Sequence, residues 1–243
     1  MPFLRIFLAL WLGLTPAFAG TMSLLGAGAP AAGGGGSCSA TPALDGTPAS
    51  GSNGGATTNV TIGQTTHSND LIFVSANGNG GPFTTISDNG AGALSAWTAI
   101  ATDGAVGNPI KTWFAVAASP IAASSITITV NQTSASGVIM FVWAVSGANT
   151  SSPLDGSAVT GHPDPLSIST TNATDFIFAT YRESSVGSPT VGSGFTLISA
   201  PAAGFSLTEF VVVTSTQSGL SLTQTTGAGN ANGGIGVAIK CAP

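Results

Sequence analysis

The chain has 243 residues, of which 43% are hydrophobic and 5% charged, and its net charge is −5. That apolar share argues against a disordered polar chain, and a total of 4 Lys and Arg argues against nucleic-acid binding, which needs clustered cations. With charges this scarce against a usual share of about a quarter, the surface has to be built from Ser, Thr, Asn, Gly and Ala. Surfaces so neutral tend to associate, so a homo-oligomer, or assembly into a virion or envelope, is an expected state.

Residues 1–19 read as a secretory signal peptide: Arg5, the apolar run Ile6 to Leu14, Pro16, and Ala17-Phe18-Ala19 before Gly20. Met22 offers a second start, in which case nothing would mark export. The apolar run is too short to span a bilayer and no later stretch is suited to it, so no transmembrane segment is expected. The implied location is secreted or on an extracellular surface, with a virion as the alternative. Residues 20–39, with Gly33-Gly34-Gly35-Gly36, read as a Gly/Ala-rich flexible linker. Cys38 and Cys241 are the two cysteines. In an exported chain they are expected to form a disulfide, and their spacing fits no metal motif. Two free thiols are expected instead if Met22 is the start.

Self-comparison of residues 40–243 predicts half-repeats over 40–149 and 151–241. Pro42-Ala43-Leu44-Asp45-Gly46 recurs as Pro153-Leu154-Asp155-Gly156, and Asp70-Leu71-Ile72-Phe73 as Asp175-Phe176-Ile177-Phe178. Val60 and Ile62 alternate with Thr61, and Ile126, Ile128 and Val130 with Thr127 and Thr129, as in half-buried strands. Leu71 to Val74 and Val138 to Val145 are continuously apolar, which suits strands buried on both faces or lying in mid-sheet. Turn clusters such as Asp88-Asn89-Gly90 and Asn131-Gln132-Thr133 separate the strands. No segment shows a capped helical period. The expected class is all-β: an antiparallel β-sandwich, jelly-roll-like, built from two pseudo-repeats, with two tandem Ig-like domains as the alternative.

Ile86-Ser87-Asp88 with Trp97-Thr98, then Thr112-Trp113-Phe114-Ala115, then Val145-Ser146-Gly147 running to Pro153-Leu154-Asp155, follow an order that resembles a loosely defined group of bacterial and phage surface β-sandwich modules. The likeness covers most of 57–200. Phe114 stands where that group usually has Tyr, and Ala144-Val145 where it often has Glu-Tyr. The resemblance implies a role in surface binding, often adhesion to carbohydrate as in phage tail or spike proteins, and carries no binding residues across.

The residues present little catalytic chemistry. His67 and His162 sit in loops, no G-x-S-x-G elbow occurs, and the carboxylates Asp45, Asp70, Asp155 and Asp175 recur in both halves, as turn-shaping residues would. Asp88, Asn89 and Asp103 lack a calcium-loop pattern, so no metal and no cofactor is expected. An outward Thr ladder at Thr127 and Thr129 is explained by strand alternation. The expected function is a non-catalytic extracellular or virion-associated surface-binding module for cell-surface glycan; the alternative is a self-assembling structural or decoration protein. The polar-aromatic cluster Tyr181-Arg182 and the amide-rich loops with Asn77, Asn79, Asn230 and Asn232 are the candidate binding residues.

Overall fold

Alternation of apolar and hydroxyl side chains produces strands throughout the computed structural model, which describes residues 37–105, 108–161, 165–183, 189–200, 205–225 and 231–243. The expected leader 1–19, residues 20–36 of the linker, His162, Asp164 and Asn230 lie outside them. The fold is all-β, and no helix among the described residues is long and apolar enough to cross a membrane. In the first half the strands are β1 (Ala43–Asn53), β2 (Thr57–Thr61), β3 (Asp70–Gly78), β4 (Phe83–Asp88), β5 (Thr98–Ala105), β6 (Asn108–Ala117), β7 (Thr127–Gln132) and β8 (Val138–Ser146). In the second they are β9 (Val159–Thr160), β10 (Leu166–Ile168), β11 (Asp175–Glu183), β12 (Thr196–Ser199), β13 (Ser206–Val213), β14 (Leu220–Leu222) and β15 (Ala231–Lys240).

Four antiparallel sheets result. The first half gives a five-stranded sheet, β1-β8-β3-β6-β5, and a three-stranded sheet, β2-β7-β4. The second gives a five-stranded sheet, β12-β13-β11-β15-β9, and the pair β10-β14. The order β1-β8-β3-β6 facing β2-β7-β4 is jelly-roll pairing, except that β5 joins the edge beside β6. Reversed, the second large sheet places β9, β15, β11, β13 and β12 where the first places β1, β8, β3, β6 and β5. Among the described residues no sheet mixes strands of the two halves, so these strands do not interleave. They nevertheless belong to one compact unit.

The reason is the double-sided burial of the central strands. Every residue of β3 is buried, because successive side chains leave opposite faces. Ile72, Val74 and Ala76 pack with Val60, Ile128 and Val130 of the three-stranded sheet. Leu71 and Phe73 turn the other way, onto Phe176, Phe178 and Val237 of the second large sheet. In β11, Phe176 and Phe178 face this seam while Ile177, Ala179 and Tyr181 pack with Leu166, Ile168 and Leu222. Four layers are thus joined by three apolar seams. Phe178 meets Phe73 edge-on at 5.1 Å and Trp143 at 5.0 Å; such pairs each add about 1 kcal/mol beyond the area they bury.

Outer faces stay polar. On the three-stranded sheet Thr57 Oγ1 donates to Asn131 Oδ1 at 2.6 Å and Thr129 Oγ1 to Asn59 Oδ1 at 2.8 Å, so the Thr ladder is tied to itself. Asp88 accounts for its place ahead of Trp97. It accepts the Gly90 N–H at 2.9 Å and the Trp97 indole N–H at 2.8 Å. Gly147 sits at φ +69° with the Thr41 carbonyl 2.8 Å from where a Cβ would be, which restricts that corner to glycine. Cys38 and Cys241 are bridged, Cα to Cα 5.6 Å, beside bonds from the Ser39 N–H to the Ala242 carbonyl and from the Ala242 N–H to the Gly147 carbonyl.

Candidate functional site

β3 and β11 run in the same direction across the central seam: Phe73 meets Phe178, Ser75 meets Thr180, and Asn77 meets Tyr181. The seam is apolar where these strands begin and polar where they finish. Thr112 donates to Ser75, Ser75 to Thr180, and Thr208 to Thr180, a chain of buried hydroxyls with oxygen separations of 3.4, 3.1 and 3.2 Å. One step further on, Asn77 Nδ2 donates to the Tyr181 carbonyl at 3.3 Å. Arg182 Nη1 returns a bond to the Gly78 carbonyl. Asp103 Oδ2 accepts the Gly234 N–H at 2.8 Å across the same seam. Each five-stranded sheet therefore grips the backbone of the other at this end.

Beyond these contacts the sheets part into a cleft of about 430 Å³. Asn53, Asn77, Asn79, Asn108, Arg182 and Phe205 are among the residues lining it. The amides supply donors and acceptors in equal number. The Arg182 guanidinium is held below its ordinary value by burial. Arg182 Nε and Asn77 Oδ1 are enclosed and have no hydrogen-bond partner among the described residues. Phe205 is half-buried and gives the cleft its aromatic surface. A second hollow, about 480 Å³, lies between the 89–93 and 118–126 segments, but Ala, Gly, Pro and Ile dominate its walls. Larger though it is, two of its three polar side chains, Asn89 and Ser125, are bonded to backbone, which leaves little to orient a ligand.

The structure brings together three of the residues singled out by sequence, Asn77, Asn79 and Arg182. Tyr181 is fully buried in the outer apolar seam of the second half. It alternates with Arg182, so its ring points away from the cleft and offers no stacking face: this corrects the expected Tyr181-Arg182 cluster. Asn232 lies in β15, and Asn230 falls outside the described residues. Sequence reasoning missed Asn53, Asn108 and Phe205. A residue next to a strand start, as Phe205 is, carries no periodic signal, and only the fold places it on the same cleft as Asn77.

The recurring aspartates gather at the opposite end. Asp45, in β1 where its pairing register shifts, accepts the Thr66 N–H at 2.6 Å, the Thr66 hydroxyl at 2.5 Å, the His67 N–H at 3.1 Å, and lies 3.1 Å from His67 Nδ1. Asp155 accepts the Thr171 N–H and hydroxyl at 2.5 Å each and the Asn172 N–H at 2.9 Å. Atoms of Asp45, His67 and Asp70 able to ligate a metal lie within 4.8 Å of one another. They do not fit a metal well. Three donors from Thr66 and His67 already hold Asp45, and the second half keeps the aspartates with Asn172 in place of the histidine. What recurs is the pair of carboxyls. Sequence reasoning saw Asp45 and Asp155, and Asp70 and Asp175, as repeat mates; the contacts run within each half, Asp45 with Asp70 and Asp155 with Asp175. Asp88 and Asp103 lie apart in role, the first capping a turn and the second bridging the seam.

Comparison with protein-family models, curated proteins and solved structures finds no match for this chain.

Proposed function

We propose that this protein is a non-catalytic, extracellular or virion-associated binding module that adheres to cell-surface glycan through the cleft where its two large sheets part. The supporting observation is the lining of that cleft. Four asparagines and one guanidinium surround a half-buried phenylalanine in a volume suited to one or two sugar units. Polyhydroxyl ligands are held by such convergent amides and by an apolar surface under the ring. The leader-like residues 1–19 and the bridged cysteines support export. The two recurring carboxyl pairs are not arranged for hydrolysis. Asp70 and Asp175 are wholly buried, so no sugar reaches both members of a pair as glycoside hydrolysis requires.

The test is an array of bacterial and eukaryotic glycans probed with the full-length, oxidised protein and with Arg182→Ala. Binding to at least one glycan class, weakened tenfold or more by Arg182→Ala, is the expected outcome. No binding above background across the array overturns the proposal. A second reading, a self-assembling structural or decoration protein, is supported by Leu197, which stands 47% exposed on the edge strand β12, where unpaired backbone can recruit another strand. Sedimentation of the same sample that shows only monomer at high concentration rejects it.

A further inference from the structure

At the end of the molecule opposite the cleft, each half closes on two aspartates that share one geometry. Asp45 and Asp155 each take a backbone N–H and a hydroxyl from the threonine of a tight loop, and a further N–H from the residue after it. Those donors favour the ionised form. Their partners, Asp70 and Asp175, are the first residues of β3 and β11, are 0% exposed, and have both carboxyl oxygens enclosed with no well-formed hydrogen bond from a donor; the Thr65 and Thr170 hydroxyls lower them only weakly against burial and the facing carboxyl. A bare buried carboxylate facing another would be very costly. A proton on Asp70 or Asp175 removes that cost, because the O–H donates to the ionised mate.

We infer that each pair holds one proton between its two carboxyls, and that the two shared protons form a pH-sensitive clasp on the closed end of the fold, firmest in acid and weakest in mild alkali. The titration behaviour agrees. Burial, then the hydrogen bond to Asp45 and its charge, pushes Asp70 up to about 7. Burial, then the same two effects from Asp155, pushes Asp175 up to about 8. Burial also raises Asp45 and Asp155, but their hydrogen bonds outweigh it and hold both below the ordinary carboxylate range.

The charged groups around each pair do not supply the proton's role. Facing Asp70, the β1 end brings Asp45, and the 62–69 loop brings Thr65 and His67; His67 lowers Asp70 through its charge but is 64% exposed. On β6 the cross-strand neighbour is Ala117. Facing Asp175, β15 brings Lys240, which lowers it through charge yet donates its Nζ to Ser152 Oγ at 3.1 Å; β13 brings Val213.

The sign of the pH effect follows. Asp70 and Asp175 titrate at 3.8 when unfolded and higher when folded. The folded state therefore binds extra protons between those values. Their contribution to stability is complete below about pH 4 and is lost as pH rises through 7 and then 8.

The test is the melting temperature of the full-length oxidised protein from pH 5 to pH 9, with Asp70→Asn/Asp175→Asn beside it. Asparagine keeps a donor toward Asp45 and Asp155 but cannot titrate. The wild type is expected to lose roughly 5–10 °C across this range, and the double variant to change little and to match or exceed the wild type at pH 9. A wild-type profile that is flat, a variant that keeps the full decline, or a melting temperature lowered by chelator at constant pH would each overturn the clasp. Should the variant fail to fold, carbon-detected carboxyl titration of the wild type decides: two aspartates titrating at about 7 and 8 support the clasp, and all aspartates below 5 overturn it.

Discussion

Where β3 and β11 begin, polar side chains hold one another: Asp45 and Asp155 each take three donors from a neighbouring loop and face Asp70 and Asp175, and the disulfide ties the first described residues to the residue after the last strand. Where the same strands finish, roughly 23 Å away at the rise of an extended chain, Asn77 and Arg182 keep atoms without partners around an open cleft. The two ends are drawn from the same pair of strands and the same repeat. The difference teaches that burial of polar groups is tolerated in two ways here. At one end the groups satisfy each other and fasten the fold. At the other they satisfy the opposite sheet's backbone only in part and leave the remainder for a ligand.

Changes at the closed end are expected to act on stability. The largest effect belongs to the bridge. Cys38→Ser with Cys241→Ser opens a loop that spans nearly the whole domain, and should cost on the order of 5 kcal/mol in denaturant unfolding. A loss under about 1 kcal/mol would mean that the strand pairing at this end holds without it. Asp45→Ala comes next. It strands the Thr66 and His67 N–H groups and leaves Asp70 facing no acceptor, for a loss of about 2–4 kcal/mol, read in the same experiment. If Asp45→Ala proved neutral, the closed end would not depend on matched polar pairs.

Changes at the open end should leave stability alone and remove binding. Asn79 is exposed at the cleft mouth, so Asn79→Ala should change stability by less than about 0.5 kcal/mol while weakening the glycan retention seen for the wild type. A marked loss of stability with binding intact would erase the contrast between the ends.

Much of the fold was legible in the residues. Ile126, Ile128 and Val130 alternating with threonines announced a strand with one wet face, and the unbroken Leu71-Ile72-Phe73-Val74 announced one with none. The recurrence of Leu-Asp-Gly and of Asp-x-Ile-Phe marked matching segments in the two halves, and the two cysteines their closure. The site was less legible. The amide-rich loop with Asn77 and Asn79 and the neighbouring Arg182 line the cleft, but Tyr181, adjacent to Arg182 in sequence, does not share its space. In a strand, sequence neighbours leave opposite faces.

By itself, then, the sequence determined the local matters: strand period, turn positions, the polar outer faces and the pairing of cysteines, because each depends on a few consecutive side chains or on the scarcity of a residue type. Tertiary structure alone decided which faces met. Phe73 and Phe178, Asp45 and Asp70, and Asn77 and Phe205 are far apart in the chain, and what joins them is the stacking of two large sheets. That stacking is driven by apolar area summed over many residues, a quantity no short motif records.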